Sequence, residues 1–502
     1  MKRFLYGLLI MACATVFAVE AAGNTQIKNS SPNFIIILLD DMGVHDASFA
    51  GNDFIETPAM DKLASDGVVF THAYSNSPNC APSRAAIMSG QYAPRTGMYT
   101  MMTGDVGEAS QRRVTTPKNL VYLQEKVYTL AELLHDHGYV TAQIGKWNLG
   151  SGPVRGPLGQ GFDVNKGGSR VGSLIHGYWA PYREDLPGLE NAPAGEYMTD
   201  RLNREAVSFI QSTGDKPFFL YLSHFAPHFP IQAPPESLKK YKKKYAEQCA
   251  VKALLHDCNM QDIYPEYAAM LDVVDKGLQQ IRETLNRRGI ADNTVIVLMS
   301  DNGGYSLVED KEGFRGQKSV LYEGGIRVPM VWHVPHAETG IQISTPVSGI
   351  DIYPTFAALA GIDVSKQVLD GNNILPLFSG VNSAGNKKLE EILNRRSLYW
   401  YLPGYTQNID GEEIFADTGK GTGDNFSQLP AAVIQRDGWK LIRYYDGTPS
   451  ELYHLDVDTR ETRNLYSQET QRAAVMMKAL ESWLQSTGGA LSLPANPAYH
   501  GR

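Results

Sequence analysis

Phe34-Ile35-Ile36-Ile37-Leu38-Leu39 is apolar at every position, and the run ends abruptly at Asp40-Asp41. A strand with one wet face alternates polar and apolar residues. A strand apolar along its whole length is buried on both faces, as in a parallel sheet. The same texture recurs three times. Tyr139 to Ile144 runs into Gly145-Lys146, and Thr294 to Met299 ends at Ser300-Asp301-Asn302. Phe218 to Leu222 precedes Ser223 and His224, with His228 close behind. Helical stretches such as Thr129–His137 and Glu266–Arg288 lie between these runs. The pattern predicts an α/β fold, a large mostly parallel sheet sandwiched by helices. Each polar cluster follows the C-terminal end of a strand, the edge where ligands of such sheets collect.

The rest of the chain sets the context. Its 502 residues are 43% hydrophobic and 20% charged, which excludes disordered and collagen-like classes. Lys+Arg 46 against Asp+Glu 54 gives −8, so nothing points to nucleic-acid binding. Met1-Lys2-Arg3, the apolar run from Phe4 to about Val19, and small residues at Ala18, Ala21 and Ala22 read as a signal peptide over 1–22. The expected product is exported, periplasmic or secreted, with no stable membrane insertion. Lipoprotein anchoring through Cys13 is the less favoured reading, because apolar residues continue past it. Cys249 and Cys258 close a short loop and are expected to pair in an oxidising compartment. That leaves Cys80, on a Pro-punctuated turn beside Arg84, as an odd cysteine placed for chemistry. The catalytic domain is expected over 23–385. Val381–Lys388 reads as a polar linker, and 386–502 as a small α+β domain with a hairpin at Ala431–Tyr445 and a terminal helix at Gln468–Gln485.

Asp40, Asp41, Asp301 and Asn302 supply hard oxygen ligands at two strand ends, suited to Ca²⁺ or Mg²⁺. Asp-Asp and Asp-Asn-Gly also serve as caps and turns, so these pairs have a structural reading too. Arg84, Lys146, Arg315, Lys318 and His228 lie in loops near those ends. A metal ringed by cations makes a pocket for an oxyanion ester, phosphate or sulfate.

Cys80-Ala81-Pro82-Ser83-Arg84 resembles the C-x-P-S-R signature of the formylglycine-dependent sulfatases. The stretches Ala85 to Gly90, Arg95-Thr96-Gly97, and Gly138-Tyr139 through Gly145-Lys146-Trp147-Asn148-Leu149-Gly150 continue the likeness. Asp40-Asp41-Met42-Gly43, Asp301-Asn302-Gly303-Gly304 and Glu323 to Pro329 are similar to further blocks of that family. The resemblance implies an alkaline-phosphatase-like fold and a Cys80 converted by a formylglycine-generating maturation enzyme to 3-oxoalanine (formylglycine). Its hydrate would attack sulfur, expel the alcohol and then eliminate sulfate. The resemblance further implies one Ca²⁺ per chain, held by Asp40, Asp41, Asp301, Asn302 and position 80. Arg84 and Lys146 would steady the diol, Lys318 would grip the sulfate, and His228 would protonate the leaving oxygen.

Two positions depart from the family pattern. Asn148, counted here with the catalytic residues, stands where the second signature usually has His; Asn can donate a hydrogen bond but cannot take a proton near neutral pH. Gln91 stands where many relatives carry Arg. The loop Gly172 to Trp179, with His176 and Tyr178, suits a sugar ring, and Arg315 is a third candidate contact to substrate. Lys239-Lys240 and Lys242-Lys243-Lys244 read either as a solvated helix face or as a dock for a polyanionic chain. The expected activity is hydrolysis of sulfate esters on a galactose-type or amino-sugar unit of a sulfated glycan. The alternatives are a phosphate or phosphonate monoester hydrolase of the same superfamily, and a degenerate glycan-binding protein.

Overall fold

The computed structural model describes residues 31–101, 107–252, 263–305, 314–379, 384–407 and 426–500. The expected signal peptide, Cys13 and Cys258 lie outside these residues. Cys249 is disulfide-bonded. Among the described residues, no helix is long and apolar enough to cross a membrane.

The central sheet comprises β1 (Asn33–Leu39), β2 (Val68–Phe70), β4 (Val140–Gly145), β5 (Val164–Lys166), β6 (Phe218–Ser223), β7 (Thr294–Ser300), β8 (Met330–His333) and β9 (Ile341–Ile343). Short β3 (Ala73–Tyr74) pairs separately with β10 (Val347–Ser348). The order across the eight strands is β5-β4-β6-β1-β7-β8-β2-β9, and only β8 runs against the others. The unbroken apolar run of β1 now has its physical reason. Phe34, Ile36 and Leu38 enter one core, with the helices Leu130–Asp136 and Ile352–Leu359. Ile35, Ile37 and Leu39 enter the opposite core, under Met198–Ser212 and Tyr264–Arg287. The first of those helices starts at a capping box between Thr129 and Glu132, one residue inside the span read from sequence.

A second sheet, antiparallel, is ordered β11 (Leu398–Leu402), β14 (Ala431–Arg436), β15 (Trp439–Tyr444), β16 (Glu451–His454). A ribbon of β12 (Thr406–Gln407) and β13 (Phe426–Gln428) lies between β11 and β14 in sequence. One face is covered by the helix Thr470–Thr487 through Ile434, Leu441, Leu480 and Leu484. The other face packs Trp400, Val433 and Ile442 onto Val320, Leu321 and Ile326 of the catalytic loops. The hairpin and terminal helix therefore fall where the sequence placed them. The polar linker does not: Ala384–Arg395 is a helix, and its Leu393 is buried in the main-sheet core. A small-polar composition hid an amphipathic pattern that begins at that helix.

Candidate active site

Four adjacent strands, β4, β6, β1 and β7, deliver their C-terminal ends to one place. Lys146 follows β4, His224 and His228 follow β6, Asp40-Asp41 follow β1, and Asp301-Asn302 follow β7. Backbone bonds continue the ladder past the strand ends: Lys146 N to Ser223 O at 2.8 Å, His224 N to Leu38 O at 2.9 Å, and Asp301 N to Leu39 O at 3.0 Å. Gly145 makes the crossing feasible. Its φ is +97°, and a Cβ there would lie 1.9 Å from Ser223 O. Cys80 enters from below as the first residue of the helix Cys80–Ser89.

Cys80 Sγ lies 3.5 Å from Asp40 Oδ1 and 4.0 Å from Asp41 Oδ1, with Met101 Sδ at 3.7 Å. Three carboxylates meet three cations around it. Lys146 Nζ is 2.6 Å from Asp40 Oδ2, and Lys318 Nζ is 2.6 Å from Asp41 Oδ2. Arg84 clamps Asp301 Oδ2 through Nε at 2.9 Å and Nη2 at 2.7 Å, and its Nη1 donates to Lys146 O and Ser223 Oγ. All six side chains are buried or nearly so. Burial pushes the Cys80 thiol up to about 12, so as a thiol it stays protonated. Burial raises Asp40 above the usual carboxylate range despite Lys146. For Asp41 burial also acts upward, but Lys318 and His228 outweigh it and hold the carboxyl low.

His228 Nδ1 lies 2.7 Å from Phe229 O, to which it must donate, so Nε2 is the acceptor for Lys318 Nζ at 2.9 Å. Burial, then Lys318, pull His228 down to about 3. The side chain read from sequence as the acid for the leaving oxygen thus meets Lys318 and, at 3.4 Å, Asp41 Oδ2. The Lys318 loop is tied to the Cys80 loop by Ser319 N to Pro78 O at 2.8 Å and Ser319 Oγ to Asn79 Oδ1 at 2.8 Å.

Ligand atoms of Asp40, Asp41, Cys80 and His228 all lie within 4.8 Å of one another. Asn302 donates Nδ2 to Asp41 Oδ1 at 2.7 Å, and its Oδ1 is buried without a hydrogen-bond partner. A buried lone-pair donor with no proton to accept suits a hard cation, so the donor set fits Ca²⁺ or Mg²⁺. Asp301 is shared, with Oδ2 on Arg84 and Oδ1 accepting from Asp41 N at 3.2 Å.

The other sequence candidates fall elsewhere. Tyr178 is fully buried, its hydroxyl 2.7 Å from Phe225 O and His228 O, so it braces the His228 loop and does not face substrate. Arg315 stacks on Tyr322 and donates to Tyr453 Oη and Glu461 O, which makes it a bridge to the second sheet. His176 is exposed and paired with Glu184 at 3.1 Å. Asn148, at φ +61°, donates Nδ2 to Arg170 O at 3.1 Å. In the lysine run, Lys240 and Lys244 are bound to Glu56, Lys240 also to Asp272, and Lys243 to Glu247, which favours the solvated-face reading. Ser223 and Met101 were missed, because neither residue type marks chemistry in a sequence.

A fold and site of this kind define a sulfuric ester hydrolase. The chain belongs to the Sulfatase family, whose profile matches residues 32–362. A "Sulfatase" of Formosa agariphila is 28% identical, over 96% of this chain and 94% of that one. Human N-acetylgalactosamine-6-sulfatase is 31% identical over 69% of this chain and 65% of its own length. The crystal structure of Ps i-CgsB in complex with k-i-k-neocarrahexaose is similar at TM-score 0.70 and 29% identity, over 90% and 93% of the two chains.

Proposed function

We propose that the chain hydrolyses sulfate monoesters on a galactose-type or amino-sugar unit of a sulfated glycan, with an oxidised Cys80 and Ca²⁺ at its centre. The observation that carries this reading is the position of Cys80, buried among Asp40, Asp41, Lys146 and Lys318 with its thiol held protonated. Oxidation to formylglycine by a maturation enzyme would replace that inert thiol with a hydrated aldehyde, whose hydroxyl is a usable nucleophile. Asp40, Asp41, Asp301 and Asn302 would hold the cation, which would supply positive charge against the ester oxygens.

The remaining roles belong to side chains of the chain itself. Lys146 and Arg84 fix Asp40 and Asp301 in place. Lys318 is positioned for the sulfate oxygens, and the Lys318–His228 pair supplies a proton to the departing alcohol. The galactose-type or amino-sugar assignment is supported by the likeness to N-acetylgalactosamine-6-sulfatase and to Ps i-CgsB, seen in complex with a neocarrahexaose. Export, to the periplasm or beyond, is supported by the N-terminal sequence and the disulfide at Cys249.

The test is sulfate release from regioisomeric sulfated galactose and amino-sugar glycans, with aryl phosphonate in parallel and Cys80→Ala as the blank. Cys80-dependent release from a galactose-type or amino-sugar glycan supports the proposal. Turnover of the phosphonate alone would replace it with the phosphonate monoester hydrolase reading. Tight glycan binding without release would replace it with the glycan-binding reading.

A further inference from the structure

Residues 169–178 form a strap from the turn after β4 to the loop after β6. At one end Asn148 N donates to Ser169 O at 2.8 Å, Asn148 Nδ2 donates to Arg170 O at 3.1 Å, and Arg170 N donates to Ser151 Oγ at 2.7 Å. At the other end Tyr178 N donates to Gln232 Oε1 at 2.9 Å and the Tyr178 hydroxyl braces Phe225 O and His228 O. Between the anchors Leu174 is buried and Val171 packs on the same core, while Arg170, Ile175 and His176 are exposed, Ile175 at 73%. The strap therefore runs from the Lys146 turn to the His228 loop, and Arg170, Ile175 and His176 are its exposed residues.

The cations of the site are already matched: Arg84 to Asp301, Lys146 to Asp40, Lys318 to Asp41. His176 is matched to Glu184. Arg170 differs. Among the described residues its side chain has no acidic partner, yet its main-chain N–H and C=O are both pinned. An exposed guanidinium with no acidic partner, set on a backbone bonded to the turn after Lys146, can pair with a planar fork of anionic oxygens.

We propose that Arg170, positioned by Asn148, recognises a second anionic group, sulfate or carboxylate, on the glycan that carries the scissile ester. The preferred substrate class is then a polyanionic glycan, and Asn148 serves substrate selection where a proton-transferring residue would serve turnover. This rests on the sulfatase reading of the same site.

The test uses full-length protein in a Cys80→Ala background, so that binding is read without turnover. Calorimetry compares a monosulfated galactoside, its disulfated counterpart, and a monosulfated disaccharide bearing a uronic acid. The parent should prefer at least one doubly anionic ligand, and Arg170→Gln should reduce that preference ratio about fivefold, the size of one exposed ion pair. The preference should also shrink with added salt in the parent and lose that salt dependence in Arg170→Gln. Asn148→Gly, which keeps the positive φ open, should give part of the same loss. The two anionic arms tell sulfate from carboxylate. An unchanged ratio in Arg170→Gln, or no binding of any ligand by the parent, overturns the inference. An unchanged ratio in Asn148→Gly alone overturns the positioning half. Sulfate release by the unsubstituted enzyme reports separately on the sulfatase reading, so the two can fail independently.

Discussion

At the scale of single residues, the proton inventory decides what each group can do. His228 has spent its Nδ1 hydrogen on Phe229 O and receives Lys318 at Nε2. Removing it as His228→Ala should lower kcat on a sugar sulfate by about 10²–10⁴-fold. The loss should be much smaller on an aryl sulfate whose phenol leaves without a proton. Equal losses on both substrates would show that His228 does not serve the leaving group. Asn302 carries the second residue-scale expectation, since its buried Oδ1 has no hydrogen-bond donor. Ca²⁺ at a hundredfold excess over its Kd should raise unfolding free energy by about 2.7 kcal/mol. Asn302→Ala should lessen the gain at the same Ca²⁺ concentration, read as a smaller shift in Tm. Cys80, the aspartates and Lys146 each stand on a strand end or in a signature, whereas Lys318 was read from a loop. Tyr178 and Arg315 were misread because residue type does not say which way a side chain turns. One went into the core and the other toward the second sheet.

Among the elements, the join between the two sheets is the point where charge and packing meet. Lys440 of β15 is fully buried, 3.1 Å from Glu323 Oε1 and 2.9 Å from Glu461 Oε1. Glu323 opens the segment just after the Lys318 loop, and Tyr74 donates to its Oε2 at 3.0 Å. Two carboxylates share one ammonium, and burial raises Glu461 from 4.5 to about 7. A carboxyl raised in the folded state favours folding while protonated. Its contribution is complete below pH 4.5 and is lost as pH climbs through about 7. Glu461→Gln should abolish that fall, on the order of 3 kcal/mol across the window, leaving Glu323–Lys440 intact. Urea melts at several pH values measure it, and parallel slopes for both proteins would refute the assignment. The hairpin and terminal helix of this region were readable from turn chemistry and period. The helix Ala384–Arg395 was not, because its first turn is small and polar and its burial depends on a distant core.

Over the whole molecule, function follows from strand order. Segments about 260 residues apart, Asp41 and Asn302, touch because β1 and β7 are neighbours in register. The continuous apolar runs made the parallel sheet legible, and the polar residues ending them made the site's edge legible. The sheet order was not legible, since nothing local states which strands adjoin. The molecule's central claim is that position 80 becomes the nucleophile of a sulfate-ester hydrolysis. The most direct test measures, across preparations matured to different extents, the aldehyde fraction at position 80 by peptide mass together with sulfate released per chain. Release should rise in proportion to the aldehyde fraction and extrapolate to zero where Cys80 is wholly thiol. Full release from protein whose Cys80 is unmodified would contradict the account.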